Sequence, residues 1–203
     1  MRLDRHADRE TAEKIRAARA RGGEEHGDYR IAARSVPDLL AKRAGERPRQ
    51  PFLVYYDAEG KRSEWTYSVF LERVGAAAGR LAREMGIRRG DRVATLMFNH
   101  PETVLFYFGA LSLGATVVPI NVEESDDRVR QTLEQSGAKG MVARVEVLEK
   151  AKACAGARPI LRSAGEGKEA GPAAAPDPSV GPDDEALLVY TSGTTGIPKG
   201  VVL

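Results

Sequence analysis

The chain has 203 residues, of which 42% are apolar, so it can bury a core as one large or two small domains. Thirty-one Lys and Arg against 29 Asp and Glu leave a formal charge of +2 with no long block of either sign, which argues against a nucleic-acid footprint. The lone Cys154 excludes an internal disulfide and a CxxC metal or redox pair, and a cytoplasmic setting is expected.

The first 34 residues read as a charged extension in which a solvated helix could run from about Asp4 to Arg21. They hold no apolar stretch of signal-peptide or membrane-spanning length, and no transmembrane segment is expected anywhere. Order begins at Ser35-Val36-Pro37, where a capping hydroxyl and a proline in the first turn open a helix to about Arg47. FLVYY (52–56) and the stretch 62–66 flank DAEGK and predict a hairpin. Tyr67, Phe70, Leu71, Val74, Ala78, Leu81 and Met85 fall at helical spacing, and Gly86 supplies the stop.

Strands and helices then alternate. RVATLMF (92–98) and TVVPI (116–120) bracket a helix from Pro101 to Gly114, and a helix capped by Ser125 and closed by Gly137 leads to the strand GMVAR (140–144). A shorter helix to about Ala153 and a strand around 159–161 complete the series. The alternation predicts an α/β fold with a doubly wound, largely parallel sheet and flanking helices.

Residues 163–186 hold 14 Ala, Gly or Pro in 24 positions, too little apolar surface to order a segment alone, and read as a flexible surface connection. After it come the strand ALLVY, the segment TSGTTGIPKG, and GVVL. The expected organisation is an extension over 1–34 and one partial domain over 35–203.

In the closing segment Gly193, Gly196 and Gly200 allow positive φ and close backbone approach, so main-chain N–H groups can turn toward an anion. Thr191, Ser192, Thr194 and Thr195 add hydroxyl donors and Lys199 a point charge, a set suited to a polyphosphate. Lys199 is followed by Gly200, not Ser or Thr, and strand-forming residues come next, which sets the segment apart from the GxxxxGK[ST] loop. An ordinary turn is a poor alternative, since at roughly 6% per letter nine fixed letters recur by chance about once in 10^11 windows.

YTSGTTGIPKG resembles the phosphate-binding signature of the adenylate-forming superfamily, which includes acyl-CoA synthetases, peptide-synthetase adenylation domains and luciferases. Upstream, the run from FLVYYDAEGK to DRVATLMFNHPE and then ALSLGATVVPINVEESDD is similar to that family's N-terminal region in order and spacing. Phe98 departs from the proline expected in many members. The resemblance implies a carboxylate activated by ATP as acyl-adenylate and passed to a thiol such as coenzyme A. Thr191, Ser192, Gly193, Thr194, Thr195, Gly196 and Lys199 would hold the β- and γ-phosphates with Mg2+ nearby. VVPINV is more similar to acyl-CoA synthetases than to peptide-synthetase domains, and the resemblance implies a carboxylic acid, fatty acids among them, as substrate; the family's acyl pocket is lined mainly by residues beyond 203.

The family's adenine contacts, ribose-binding acid and catalytic lysine lie downstream of this loop, so no catalytic residue and no metal ligand is expected within the chain. It reads as the N-terminal part of a larger enzyme. A premature stop, an incomplete reading frame or a split polypeptide with a separate chain carrying the rest would all give this ending. A non-catalytic nucleotide- or partner-binding module, or a fragment without function, is the alternative.

Other candidates read as structural. His100 stands at a helix start, where capping outweighs general-base chemistry, and Glu123, Glu124, Asp126 and Asp127 suit a helix N-terminus better than a metal. Trp65, Tyr55 and Tyr56 suit hairpin packing, Cys154 a minor core or surface place, and the apolar run 104–113 is too short to cross a bilayer.

Overall fold

The computed structural model describes residues 13, 33–163, 165, 172–191 and 199–203. The predicted N-terminal helix and part of the connection after residue 163 fall outside these.

Helix α1 (Val36–Glu46) starts where expected: the Ser35 hydroxyl accepts from the Asp38 N–H at 3.2 Å, and Pro37 sits in the first turn. Strands β1 (Pro51–Tyr56) and β2 (Arg62–Thr66) form the antiparallel hairpin. Its turn uses Gly60 at φ 79°, a value that favours glycine. With no loop between, Thr66 ends β2 and caps α2 (Tyr67–Met85), which Gly86 closes in the left-handed conformation.

Strand β3 (Arg92–Leu96), helix α3 (Pro101–Ser112), β4 (Thr116–Ile120), α4 (Asp126–Ser136), β5 (Gly140–Ala143), α5 (Leu148–Ala155) and β6 (Ile160–Arg162) come next in alternation. The four strands are parallel in the order β4-β3-β5-β6, and each inner strand is an apolar run because both its faces are covered. The first of these strands ends two residues earlier than its apolar run: pairing stops at Leu96 opposite Ile120, Met97 is buried outside the ladder, and Phe98 is 43% exposed.

Helices on both faces make the sheet doubly wound. On one side α2 and α3 pack Phe70, Leu81, Leu105 and Phe106 onto Val93, Val117 and Val142. Gly109 lets these two helices approach closely, since a Cβ there would lie 3.1 Å from the Ala78 nitrogen. On the other side α4 and α5 pack Val129, Leu133, Ala151 and Cys154 onto Ala94, Leu96, Val118 and Met141. The hairpin joins the first core through Phe52, stacked on Phe70 at 4.2 Å between ring centroids, and Arg73 lies over the half-buried Trp65 ring at 4.3 Å.

From Pro172 to Ala186 the connection runs along the outside of α2 and α3. Ala174 N–H donates to the Gly75 carbonyl at 2.9 Å, Arg83 Nη1 to the Pro172 carbonyl at 2.5 Å, and Asp177 N–H to the Ser112 carbonyl at 2.8 Å. Composition does not announce these contacts, because backbone groups and arginines from other segments make them. Residue Leu187 then forms a parallel bridge to Val117 at the edge of β4. Strands β7 (Leu188–Thr191) and β8 (Lys199–Val202) leave as an antiparallel pair.

Candidate functional site

The hairpin of β7 and β8 carries the segment rich in hydroxyls and glycine. Its register pairs Leu188 with Val202, Val189 with Val201, Tyr190 with Gly200 and Thr191 with Lys199. Thr191 and Lys199 therefore face each other across the mouth of the segment, with the Thr191 hydroxyl 3.4 Å from the Lys199 carbonyl. Both are exposed. Ser192, Gly193, Thr194, Thr195 and Gly196 lie outside the described residues.

Gly200 serves close approach and not positive φ. A Cβ there would fall 2.9 Å from Leu188 Cδ1 and 3.3 Å from the Tyr190 ring, so a larger residue would have to displace the Leu188 methyl and crowd the Tyr190 ring. Tyr190 is held half-buried over this gap, and burial raises its phenol above the ordinary value, with the Arg92 charge opposing. Leu188, on the same face of β7, is buried in the second core, so alternation along the strand anchors the ribbon through Leu188 and Tyr190.

A cavity of about 440 Å3 opens beside β7, at the carboxyl ends of β3 and β4. The chain leaving β3 turns to the face of α3, while those leaving its neighbours β4 and β5 turn to the face of α4 and α5. Such a switch point is where open α/β sheets leave a crevice for ligands. Asn99, Asn121, Tyr107, Arg128 and Tyr190 line it with polar groups. Burial pushes the Tyr107 phenol up, opposed by a hydrogen bond from Thr95. Reading the sequence missed this cavity, although an asparagine shortly after each of the two apolar runs, Asn99 after RVATLMF and Asn121 after TVVPI, was a signal that could have found it.

A second polar group sits at the ends of β3, β5 and β6. Glu102, fully buried in the first turn of α3, accepts from Arg144 Nη1 at 2.9 Å and from the Ser163 hydroxyl at 3.1 Å. Arg144 also holds Glu146, whose carboxyl its hydrogen bond keeps below the ordinary range. His100 caps α3 through Nδ1, which accepts from the Glu102 N–H at 3.2 Å. Burial first and the Arg144 charge second hold its imidazole below the ordinary value. The capping role expected of His100 is thus the one observed.

The acidic residues at 123–127 divide as helix-start chemistry predicts. Ser125 caps α4, and Asp126 and Asp127 pair with Arg130 at 3.7 and 2.7 Å. Among the described residues no three metal-type side chains converge, and no helix is long and apolar enough to cross a membrane. Cys154 is buried, its Sγ 3.6 Å from the Asp126 carbonyl, and burial raises its thiol.

The sequence model of a family described as AMP-binding enzyme matches residues 40–203. A feruloyl-CoA synthase of Amycolatopsis is 40% identical over 138 residues, covering 68% of this chain and 28% of that protein. The long-chain fatty acid CoA ligase FadD13 of Mycobacterium tuberculosis is 36% identical, covering 81% of this chain and 34% of that one. Among solved structures, the inhibitor-bound N-terminal domain of FACL13 from Mycobacterium tuberculosis superposes with a TM-score of 0.71 at 31% identity, over 84% of this chain and 44% of that one. The N-terminal subdomain of Klebsiella oxytoca NpsA, in complex with 3-hydroxybenzoyl-AMSN, gives 0.70 at 26% identity, over 83% and 40%. The chain spans about a third of the length of the curated relatives just described.

Proposed function

From the premise that this chain belongs to the AMP-binding enzyme family, we propose that it forms the N-terminal part of an ATP-dependent, AMP-forming acid–thiol ligase. In this reading a carboxylate oxygen attacks the α-phosphorus of ATP and pyrophosphate leaves. Coenzyme A thiolate then attacks the acyl carbon of the adenylate and AMP leaves. Fatty and arylpropenoic acids are the substrate classes that the relatives' names favour.

One observation carries the reading: the register that sets Thr191 against Lys199, so that both ends of a segment of hydroxyls and glycines stand on a ribbon anchored in the core. Thr191, Ser192, Thr194 and Thr195 would donate to phosphate oxygens, Gly193 and Gly196 would admit close backbone approach, and Lys199 would supply charge. Mg2+ would neutralise the phosphates and polarise the α-phosphorus. Holding the triphosphate in line is the contribution these residues can make, since nucleotidyl transfer depends chiefly on positioning and charge stabilisation.

Calorimetric titration of the chain with MgATP, beside Lys199→Ala, tests this. Loss of one charge-assisted contact is worth about 1.5–3 kcal/mol, so Lys199→Ala should weaken binding by roughly ten- to a hundredfold. A cooperatively folded chain that binds no MgATP, or binds it equally well without Lys199, overturns the reading.

A further inference from the structure

Two oppositely charged stretches stand about ninety residues apart in the sequence: Arg88-Arg89-Gly90-Asp91-Arg92 at the entry to β3, and Asp183-Asp184-Glu185 just before β7. The fold brings them together. Arg89 grips Asp184 with Nε and Nη2 on Oδ1 at 3.1 and 2.9 Å and Nη2 on Oδ2 at 2.8 Å, while Nη1 donates to the Ser179 hydroxyl at 2.7 Å. Oδ2 of Asp184 also accepts from the Gly181 N–H at 2.9 Å, which closes the turn before it. Arg92 donates from Nη2 to Glu185 Oε2 at 2.9 Å and from Nη1 to the Ser136 carbonyl at 3.0 Å. The Thr116 hydroxyl donates to the Glu185 carbonyl at 3.2 Å, and Val117 N–H to that of Ala186 at 2.9 Å. With the bridge from Leu187 to Val117, three successive residues, 185–187, are tied to the sheet before the strand departs, and Asp184 is held just ahead of them by Arg89.

Leu187 runs directly into β7, and β7 leads into the phosphate segment after Thr191. Side chains alternate along a strand, so a slip of one residue would lift Leu188 out of the second core and turn Thr191 to the opposite face. It would also displace the mouth of the segment by about 3.3 Å, more than the tolerance of a hydrogen bond to phosphate. Apolar burial of Leu188 resists leaving the core but is not directional, and the neighbouring Leu187 would fill the same place. The guanidinium forks are directional.

We propose that Arg89 and Arg92, through Asp184 and Glu185, are positioning residues for nucleotide binding: they fix the register at which β7 leaves the sheet, and so where Thr191 and Lys199 stand. This rests on the ATP-binding reading above.

The test pairs MgATP calorimetry with amide hydrogen exchange on the 203-residue chain and the variants Arg89→Gln, Asp184→Asn, Asp184→Glu and the double Arg89→Gln/Asp184→Asn. Asp184→Asn and Arg89→Gln should each weaken MgATP about fivefold, the upper range for a partly exposed pair. The double variant should bind no worse than the weaker single one, because the pair acts as a unit. Asp184→Glu, which keeps the carboxylate, should recover most of the affinity. Exchange should quicken at 187–191 and 199–203 and stay unchanged in α4 and β5. Wild-type affinity in Asp184→Asn, additive losses in the double variant, or unchanged exchange at 187–191 overturns the proposal. If the wild-type chain binds no MgATP, the functional reading fails. Exchange then decides alone: an unchanged ribbon overturns the clamp, and quickening confined to it upholds the clamp on the strand.

Discussion

Gly79 offers a substitution whose sign depends on where the chain runs after Gly171. In the interior of an exposed helix, Gly→Ala stabilises by about 0.8–1.0 kcal/mol through backbone entropy. Here a Cβ would lie 2.2 Å from the Pro172 carbonyl oxygen, 2.7 Å from Arg83 Nη1 and 3.3 Å from the Ala174 nitrogen. To regain van der Waals spacing the crossing backbone must retreat by about 1 Å. The hydrogen bonds from Ala174 N–H to Gly75 and from Arg83 to Pro172 would go with it. At about 1 kcal/mol for the neutral bond and somewhat more for the charged one, their loss outweighs the helix gain and leaves Gly79→Ala about 1–1.5 kcal/mol less stable. Gly45→Ala in α1, where nothing lies within 4 Å of the added carbon, is the control and should stabilise by up to about 1 kcal/mol. Urea unfolding at equilibrium reads both. If Gly79→Ala raises the midpoint as Gly45→Ala does, the connection does not lie on α2.

Two predictions concern the buried polar group at the strand ends. Because His100 must be neutral at Nδ1 to accept from Glu102 N–H, and its folded pKa is depressed, its stability contribution is full above about pH 6.5 and is lost as pH falls through the lower folded value. His100→Asn keeps a capping acceptor without titrating, so its unfolding free energy should fall less between pH 7 and 5 than the wild type's; equal slopes would refute the assignment. Glu102→Ala removes a carboxylate with no exposed surface and strands the Ser163 hydroxyl, though Arg144 keeps Glu146. Urea unfolding should show a loss of about 3 kcal/mol, and a loss under about 1 would mean the buried pair adds little.

Features set by neighbours in the chain were legible in advance. The Ser35 cap with Pro37, the stops at Gly86 and Gly137, the hairpin around Gly60 and the capping His100 depend on residues within a turn of one another. Alternation of apolar strands with helices gave the parallel sheet, yet not its order β4-β3-β5-β6, which depends on which edge each helix crosses to. The early end of β3 at Leu96 was hidden for a similar reason. RVATLMF is largely apolar to its end, and nothing within the run marks Leu96 as the point where pairing with β4 and β5 stops. The contacts joining Glu102 to Arg144 and Ser163, or Arg89 to Asp184, span 42 to 95 residues and obey no local period. In the phosphate segment composition named the chemistry, but the cross-strand role of Gly200 emerged only once Tyr190 was seen opposite it.

The single bridge between Val117 and Leu187 has a consequence for solubility. β4 ends the sheet, and an uncovered edge of five apolar-rich residues is a template on which another chain can add a strand. The backbone from Glu185 to Leu187 occupies that edge. Loosening it would offer TVVPI to a second molecule, where only Pro119, lacking an N–H, would interrupt pairing. Ligands that hold the ribbon in place would therefore also act against self-association, by keeping that edge closed.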